Sequence, residues 1–264
     1  MDEQVNQWLP PPVRLSLVPD EVHVWRAQLD LPLAQVEQLR HSLTPDEVDR
    51  SDRFHFEKDR HHFIAGRGIL RAILGSYLNA APKQLRFSYN EYGKPFLNAG
   101  SEERPQINFN LSHSDGLALY GFVREREIGI DLERIRTNFE HEEIAARSFS
   151  PREVAVLGAV PPAMKALAFF HCWTRKEAYI KAQGQGLSLP LDSFDVSLVP
   201  GEPATLLATR DDPQEVSHWS LHDLAPGYGY AGALAVRGRN DMCGNSAERA
   251  YLLRRFDKML KDNS

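Results

Sequence analysis

Residues 42–48, SLTPDEV, recur 106 residues later as residues 148–154, SFSPREV, with four of the seven residues identical. In each copy a Ser or Thr precedes a Pro, and a Glu follows two residues after that Pro. A hydroxyl residue of this kind caps the first turn of a helix, and Pro is tolerated at the first helical position. Each copy is therefore predicted to begin a helix, and the recurrence indicates an internal repeat.

The same offset aligns two further landmarks. Val22, in the first strand signal of the chain, falls on Ile128, which begins an alternating strand pattern. Phe63 falls on Phe169, and both lie in long helical patterns with apolar residues three and four positions apart. Three landmarks at one offset indicate two similar halves, although a Ser/Thr-Pro-Glu helix start is common enough to recur without a duplication.

The repeat predicts an α+β fold of two similar halves related by a pseudo-two-fold axis. Each half is expected to be a small sheet packed with helices, with the active site in the cleft between them. We expect the first half to span 20–127 and the second 128–238. The tail 239–264 is expected to be helical or flexible, with an amphipathic helix over 247–261. Removing the tail after Arg239 is expected to leave the chemistry nearly intact.

The composition excludes several classes of protein. The chain has 264 residues, with 31 Lys and Arg against 36 Asp and Glu, a net charge of −5 that argues against a nucleic-acid binder. Its two cysteines, Cys172 and Cys243, lie far apart, which excludes a disulfide framework and a cysteine zinc site and fits a reducing compartment. No signal-peptide pattern and no apolar run of about 20 residues is present. A cytoplasmic protein without a membrane partner is expected.

The first candidate for chemistry is GIDLE, residues 129–133. Side chains alternate along a strand, so Asp131 and Glu133 project from one face while Ile130 and Leu132 enter the core. Two carboxylates placed so closely repel each other unless a cation lies between them, and their oxygens suit Mg²⁺ or Mn²⁺. Taken alone, the pattern is more often that of a solvated strand face.

The second candidate is WTRKEAYIK, residues 173–181, on the predicted long helix. Glu177 and Lys181 are four residues apart and share a helix face. An ordinary surface ion pair explains this spacing. Against that alternative, Phe170 and Thr174 extend the same stripe, which indicates that Glu177 faces a cleft.

The third candidate is NLSHSD, residues 110–115, at a strand end. Its hydroxyls and imidazole could bind phosphate oxygens, but a polar turn with local backbone hydrogen bonds is an equal alternative. The stretch GRGILR, residues 66–71, imitates a dinucleotide-binding motif without its third glycine and inside a helix, so it is not one. His61 and His62 are predicted to be surface residues.

Taken together and in order, these motifs resemble the Sfp-type 4′-phosphopantetheinyl transferases. The resemblance rests on EYGKPFL, NLSHS, GIDLE, WTRKEAYIK and GQGLSLPLDSF, and it runs from about residue 50 to residue 230. Members of this family move the phosphopantetheine arm of coenzyme A onto a serine of an acyl or peptidyl carrier protein and release adenosine 3′,5′-bisphosphate. The resemblance implies that fold and that activity, in a chain expected to act as a monomer on an apo carrier protein.

The resemblance also implies a metal site and a catalytic base. Asp131, Glu133 and Glu177 would hold Mg²⁺, with Mn²⁺ as a possible substitute. Glu177 would act as the base for the carrier serine, and Lys181 would neutralise the pyrophosphate. At the 106-residue offset the first half lacks these carboxylates, so one metal ion per chain is expected, because the equivalent residues are Trp25, Ala27 and Arg71.

Coenzyme A would contact a second group of residues. His113 would contact its phosphates as a catalytic residue, Ser112 and Lys94 would hold the 3′-phosphate, and Arg50 would contact the nucleotide.

Two positions depart from the family pattern. A basic residue of the family falls on Glu47, and a threonine that some members use near the nucleotide falls on Phe63. The contacts that the first half makes with the nucleotide are therefore the least defined part of the predicted site.

Two other functions compete with this interpretation. One is a metal-dependent nuclease, against which the net negative charge counts. The other is a non-catalytic module that binds coenzyme A or a carrier protein, against which the presence of all three carboxylates counts.

The carrier protein is expected to dock on the segment 137–160, which offers apolar side chains beside Arg147 and Arg152. The predicted apolar contacts are Phe139, Ile144, Phe149, Val154 and Leu157. Since carrier proteins are acidic as a class, the two arginines are expected to steer the encounter.

Overall fold

The structure is a computed structural model that describes residues 8–10, 12, 14–98, 106–137, 140–184, 186–238 and 252–256. Within these ranges the chain forms six α-helices: α1 (Leu33–Arg40), α2 (Pro45–Ser51), α3 (Glu57–Leu78), α4 (His141–Ser148), α5 (Pro151–Ala159) and α6 (Pro162–Gln183). None of the helices in the described ranges is both long and apolar enough to cross a membrane.

The described residues also form eleven strands: β1 (His23–Gln28), β2 (Phe87–Tyr89), β3 (Pro95–Leu97), β4 (Ile107–Ser114), β5 (Leu117–Arg124), β6 (Ile128–Arg134), β7 (Phe194–Val196), β8 (Leu206–Thr209), β9 (Trp219–Leu224), β10 (Tyr230–Arg237) and β11 (Leu252–Arg255). The larger sheet has the order β11-β1-β5-β4, and a second sheet has the order β6-β10-β9. β2 pairs with β3, and β7 with β8, as two-stranded sheets.

The central strand β5 is buried on both faces because it separates two apolar clusters. Tyr120 and Phe122 project into the core that α3 covers in the first half. Leu119 and Val123 project from the opposite face into a cluster with Ile130 of β6. A strand buried in this way needs a nearly continuous apolar sequence, which β5 has.

In the second half, α6 packs closely on β6 and β10. A Cβ atom placed on Gly129 would lie 1.9 Å from the carbonyl oxygen of Ala178 in α6, so only glycine fits at that position. Ala233 and Ala235 of β10 are also small and fully buried in the same core. The small side chains bring the helix against the sheet, and this contact places the end of α6 beside β6.

The predicted α+β fold of two similar halves is confirmed. Both copies of the quoted repeat begin a helix with a capping box, at Thr44 for α2 and at Ser150 for α5. In each half a strand precedes this short helix, and a helix of 22 residues follows it.

The prediction for the tail is wrong over Leu252–Arg255. These residues form β11, which pairs in parallel with β1. Leu9 binds the other edge of β11, through hydrogen bonds of 3.1 Å to the carbonyl of Leu253 and 2.8 Å from the N–H of Arg255. The unpaired edge of β1 offers backbone hydrogen bonds that override the helical pattern of the sequence. The rest of the predicted helix over 247–261 lies outside the described residues.

Candidate active site

The two halves meet where β4 and β6 lie side by side without belonging to one sheet. Polar side chains of β4 take the place of backbone partners for β6. Asn110 Oδ1 accepts the N–H of Ile130 at 2.8 Å, and Ser114 Oγ accepts the N–H of Arg134 at 3.1 Å. The polar face of NLSHS therefore joins the two halves, and its residues lie in a strand rather than in a turn.

Ser112, Asp131 and Lys181 form a connected group on this seam. Lys181 Nζ donates to Asp131 Oδ1 at 2.6 Å and to Ser112 Oγ at 3.1 Å. The Ser112 hydroxyl donates in turn to Asp131 Oδ1 at 2.9 Å. Asp131 is only 3% exposed, so a solvated strand face does not describe it. Its second oxygen, Oδ2, is buried and has no hydrogen-bond partner among the described residues.

Glu133 and Glu177 complete a group of three carboxylates. Burial raises the pKa of Glu133, and the nearby Asp131 raises it further, although Ser114 donates a hydrogen bond to this carboxylate at 3.0 Å. Burial and then Asp131 also raise the pKa of Glu177. The cluster thus concentrates negative charge. Asp131 and Glu133 lie two residues apart on β6, and Glu177 lies on α6.

The ordinary ion pair between Glu177 and Lys181, the alternative explanation of their spacing, does not form, because Lys181 bonds to Asp131 instead. Within the part of the chain that the structure describes, no hydrogen bond holds the carboxylate of Glu177. Through its bond to Ser112, Lys181 links the two halves of the molecule, and Glu177 remains available to another group.

The chemistry of this donor set suits a divalent cation. Among the described residues, no three side chains of His, Cys, Asp or Glu already converge as a metal-binding group. However, Asp131 Oδ2 is an unpartnered oxygen, and burial together with mutual repulsion disfavours the charged forms of Glu133 and Glu177. A hard cation would give Asp131 Oδ2 a partner and would stabilise the charged forms of Glu133 and Glu177. Carboxylate oxygens are the preferred ligands of such a cation.

A cavity of about 360 Å³ opens between α3, the β2–β3 hairpin, β4 and the end of α6. The basic side chains that line it are Arg50, His62, Arg67, Lys94, His113 and Lys181. No acidic side chain is among the described residues that line it. Lys181 lines the cavity and bonds to Asp131, so the carboxylate cluster lies at one end of a basic cavity that is suited to an extended anion.

Lys94 lines this cavity, but its ammonium group has partners within the protein. Nζ donates to the carbonyl oxygens of Ile128 at 3.1 Å, Lys181 at 2.6 Å and Ala182 at 3.2 Å. Burial lowers the pKa of Lys94 to about 8. Lys94 therefore ties the hairpin to the end of α6 and the start of β6. Its contact with a 3′-phosphate stays a prediction, as does that of Ser112.

His113 lies on the face of β4 opposite to Ser112 and lines the cavity as predicted for a phosphate contact. Burial lowers the pKa of His113, and the neighbouring His62 and Lys181 lower it further. The imidazole is therefore neutral near pH 7, and it contributes a hydrogen bond rather than a charge.

Arg50 and Phe63 stand together at the first-half wall of the cavity. The guanidinium group of Arg50 lies over the ring of Phe63, 5.3 Å from its centroid. Glu47, by contrast, is buried and paired with Arg71 at 2.7 Å, and it also closes the capping box of α2. Glu47, which stands where the family pattern has a basic residue, thus has a structural role.

Sequence reasoning missed two residues of this wall. His62 was expected on the surface, but it lines the cavity and bonds to Asp30 Oδ1 at 2.8 Å. Arg67 was considered only as part of a failed glycine motif. Its spacing from Phe63 and Arg71, four residues on either side, places it on one stripe of α3 and could have identified it.

Comparisons with known proteins point to one family. The model of the 4′-phosphopantetheinyl transferase superfamily matches residues 127–235, and a model described as 4′-phosphopantetheinyl transferase, N-terminal, matches residues 30–120. The chain is 45% identical over 233 residues to the 4′-phosphopantetheinyl transferase HetI of Nostoc sp., covering 88% of this chain and 94% of that protein.

A second relative is less similar. The chain is 32% identical over 207 residues to the 4′-phosphopantetheinyl transferase Sfp of Bacillus subtilis, covering 78% of this chain and 88% of that protein. Among solved structures, the holo-[acyl-carrier-protein] synthase of Thermotoga maritima aligns with a TM-score of 0.34 and 20% identity, over 43% of this chain and 63% of that chain.

Proposed function

The chain belongs to the 4′-phosphopantetheinyl transferase family, and we propose that it transfers the 4′-phosphopantetheine arm of coenzyme A to a serine of an apo carrier protein. Adenosine 3′,5′-bisphosphate would be released. The observation that carries this proposal is a cluster of three carboxylates and one lysine at the end of a cavity lined by basic side chains. The cavity suits the anionic coenzyme, and the cluster suits phosphoryl-type chemistry.

Arg50, His113 and Lys181 are proposed to bind coenzyme A. Lys181 lies nearest the carboxylates, so the pyrophosphate would lie at that end. The neutral imidazole of His113 would donate a hydrogen bond to a phosphate oxygen, while Lys181 offsets the charge that grows on the leaving phosphate. The nucleotide would then extend toward Arg50 on the first half.

Asp131, Glu133 and Glu177 are proposed to hold Mg²⁺, and Mn²⁺ would also suit these oxygens. The unpartnered Asp131 Oδ2 and the raised pKa values of the two glutamates support this assignment. When bound, such an ion supplies Lewis-acid stabilisation of negative charge on phosphate oxygens.

Glu177 is the proposed base for the acceptor serine. Its carboxylate accepts no hydrogen bond in the described structure, so one oxygen would be able to accept the serine proton while the other holds the ion. Burial raises the pKa of Glu177, which makes the ionised form a stronger base. The serine oxygen would then attack the phosphorus that bears the phosphopantetheine arm.

The proposed carrier-binding surface is narrower than the sequence predicted. Phe149 and Leu157 are buried in the second-half core, and Ile144 and Val154 pack against it, so these four residues do not form an apolar docking patch. Phe139 lies outside the described residues. Arg147 and Arg152 are exposed, and they remain the proposed contacts for an acidic carrier.

The proposal includes a cytoplasmic monomer. Cys172 is a free, buried cysteine, as a reducing compartment allows. Neither alternative, a metal-dependent nuclease or a non-catalytic binding module, finds support in the relatives, which are named as transferases.

The test is to incubate the chain with coenzyme A, Mg²⁺ and apo acyl or peptidyl carrier proteins, and to weigh the carriers by mass spectrometry. We expect a gain of one phosphopantetheine together with adenosine 3′,5′-bisphosphate, and no gain when the acceptor serine is replaced by alanine. Asp131→Asn should slow transfer by about 100-fold or more, since it removes a charge that acts during the reaction.

Asp115→Asn is the matched control for that variant, because Asp115 is exposed in the turn that follows β4. It should keep wild-type turnover. A folded wild-type chain that modifies none of the carriers, or that nicks plasmid DNA with Mg²⁺ instead, would reject the proposed function.

A further inference from the structure

Beside the cavity, α3 carries one more positive charge than the ion pairs of the described residues balance. Glu47 is shared by two arginines of α3, Arg71 at 2.7 Å and Arg67 at 3.5 Å. The side chains of these three residues are 4%, 1% and 10% exposed. One carboxylate against two guanidinium groups leaves one positive charge in a nearly dry place, where a charge needs a partner.

The two arginines differ in how they are satisfied. Besides Glu47, Arg71 donates to the carbonyl oxygens of Pro82 and Leu85 and to the hydroxyl of Thr44. These contacts make Arg71 a structural residue that holds α2 and the following loop onto α3.

Arg67 has fewer partners and reaches the cavity. Its Nη2 donates to the hydroxyl of Tyr89 at 2.9 Å, and its guanidinium lies over the ring of Phe87. Its Nη1 is buried and has no hydrogen-bond partner among the described residues. Arg67 and Tyr89 both line the cavity, so an anion bound there would lie beside the guanidinium group.

We infer that Arg67 binds the 3′-phosphate of coenzyme A and thereby determines the preference of the enzyme for coenzyme A over its 3′-dephospho form. This assignment rests on the proposed function. A phosphate monoester carries up to two negative charges and matches the planar fork of a guanidinium group. The groups expected to hold this phosphate, Lys94 and Ser112, are hydrogen-bonded within the protein.

Coenzyme A carries a pyrophosphate as well as a 3′-phosphate, and both are anionic phosphate groups. The position of Arg67 in the cavity indicates which of them it binds. Lys181 and the carboxylate cluster mark the pyrophosphate end, on the second-half side of the cavity. Arg67 belongs to α3, and it shares the first-half wall with Arg50. The ribose phosphate is the charged group of coenzyme A that lies on the nucleotide side.

The test measures the dissociation constants of coenzyme A and 3′-dephospho-coenzyme A by titration calorimetry. The proteins are the full-length wild type, Arg67→Gln and Arg67→Lys. The wild type should prefer coenzyme A by about tenfold or more, since a charge-assisted hydrogen bond contributes at least that ratio. Arg67→Gln should bind 3′-dephospho-coenzyme A as the wild type does, with its preference reduced to about twofold. Arg67→Lys should keep an intermediate preference.

Arg86→Gln is the matched control, because Arg86 is an exposed arginine near Tyr89 that does not line the cavity. It should keep the full preference. An undiminished preference in Arg67→Gln, or an equal loss of affinity for both ligands, would overturn the assignment. The same holds for a wild type that binds both ligands equally.

Because both ligands are compared within one variant, partial loss of folded protein does not change the ratio, and Arg67→Lys retains the charge if Arg67→Gln proves unstable. Failure of the proposed function would look different. A wild type that prefers coenzyme A but modifies no carrier protein would refute the transfer activity and leave the Arg67 assignment standing.

Discussion

Two buried glutamates at equivalent positions stabilise their own halves in the same way. Glu47 and Glu153 each accept the backbone N–H of their own helix cap, at 3.0 and 2.9 Å. Each also pairs with a buried cation of the following long helix, Arg71 at 2.7 Å and Lys176 at 2.8 Å. The carboxylate of the capping box therefore fixes the short helix onto the long one in both halves.

This arrangement explains why only the second half carries the carboxylate cluster. At the 106-residue offset Arg71 is the equivalent of Glu177. The first half uses the position for a structural ion pair, whereas the second half pairs its glutamate through Lys176, one residue earlier, and leaves Glu177 free to face the carboxylate cluster.

The buried ammonium group of Lys94 makes stability depend on pH. Because burial lowers the pKa of Lys94 from 10.5 to about 8, the folded chain loses this proton at a lower pH than the unfolded chain. Between these two values the unfolded chain binds the extra proton, so the free energy of unfolding rises with pH. The advantage of the wild type over Lys94→Met should therefore grow from about pH 8 to about pH 10 in urea denaturation.

Lys83→Met, which alters an exposed lysine, is the control for this prediction, and it should show no such rise. An advantage of the wild type over Lys94→Met that stays constant from neutral pH to about pH 10 would contradict the argument.

At the scale of elements, the contact between β6 and α6 determines the geometry of the carboxylate cluster. Gly129→Ala would bring a Cβ to 1.9 Å from the backbone oxygen of Ala178, so strand and helix must separate. We expect a loss of about 3 kcal/mol in the free energy of unfolding. Turnover should also fall, because Asp131 moves away from Lys181.

Gly158→Ala in α5 is the matched control, because no atom lies within 4 Å of the added Cβ. Alanine is also the better helix former, so this variant should be as stable as the wild type or slightly more stable. Equal stability of the two glycine variants in urea denaturation would show that the β6–α6 contact is not as tight as described.

The strand β11 changes the expectation for the tail. Phe256, which follows β11, is 2% exposed and packs in the first-half core, and its N–H donates to the carbonyl of Arg26 at 3.0 Å. Phe256→Ala should lower the free energy of unfolding by about 3 kcal/mol. Arg255→Ala, at a partly exposed position of β11, should change it by about 0.5 kcal/mol or less.

Removal of the tail after Arg239 is therefore expected to destabilise the chain, in contrast to the expectation from sequence. Full stability of the truncated chain in thermal unfolding would restore the original expectation and remove the structural role of β11.

At the scale of the whole molecule, one apolar cluster and one polar seam join the halves. β5 and β6 share the cluster, while side chains of β4 bind β6 along the seam. The cavity opens beside this seam, so both halves must fold for the site to exist. We propose 20–127 and 128–238 as the two halves, with β11 completing the sheet of the first.

The charge on the outer surface of the second half leads to a prediction about the carrier protein. Reversing Arg147 and Arg152 to Glu should raise the KM for an acidic carrier several-fold and leave the KM for coenzyme A unchanged, because steering acts on the encounter. The effect should weaken as salt is added. Steady-state kinetics with each substrate varied separately provides the measurement.

Reversal of Arg40 and Lys83, two basic residues beside α1 in the first half, changes the net charge by the same amount and is the control. If both double variants raise the KM for the carrier equally, net charge alone is responsible and the docking surface lies elsewhere.

Local patterns in the sequence were sufficient to predict much of the fold and part of the candidate site. The repeat at 42–48 and 148–154 predicted two helix starts and the pseudo-two-fold fold, because caps and prolines act on their own helix turn. Strand alternation placed Asp131 and Glu133 on one face, since side chains alternate whatever the strand packs against.

Only the tertiary structure decided which partners the long polar side chains take. Lys181 bonds to Asp131, 50 residues away, instead of to Glu177 on its own helix, and Lys94 bonds to carbonyl groups 34 to 88 residues away. The free edge of β1 likewise made a strand of Leu252–Arg255. These choices depend on which donors, acceptors and strand edges the fold brings within about 3 Å of one another, and neighbours along the chain carry no information about that.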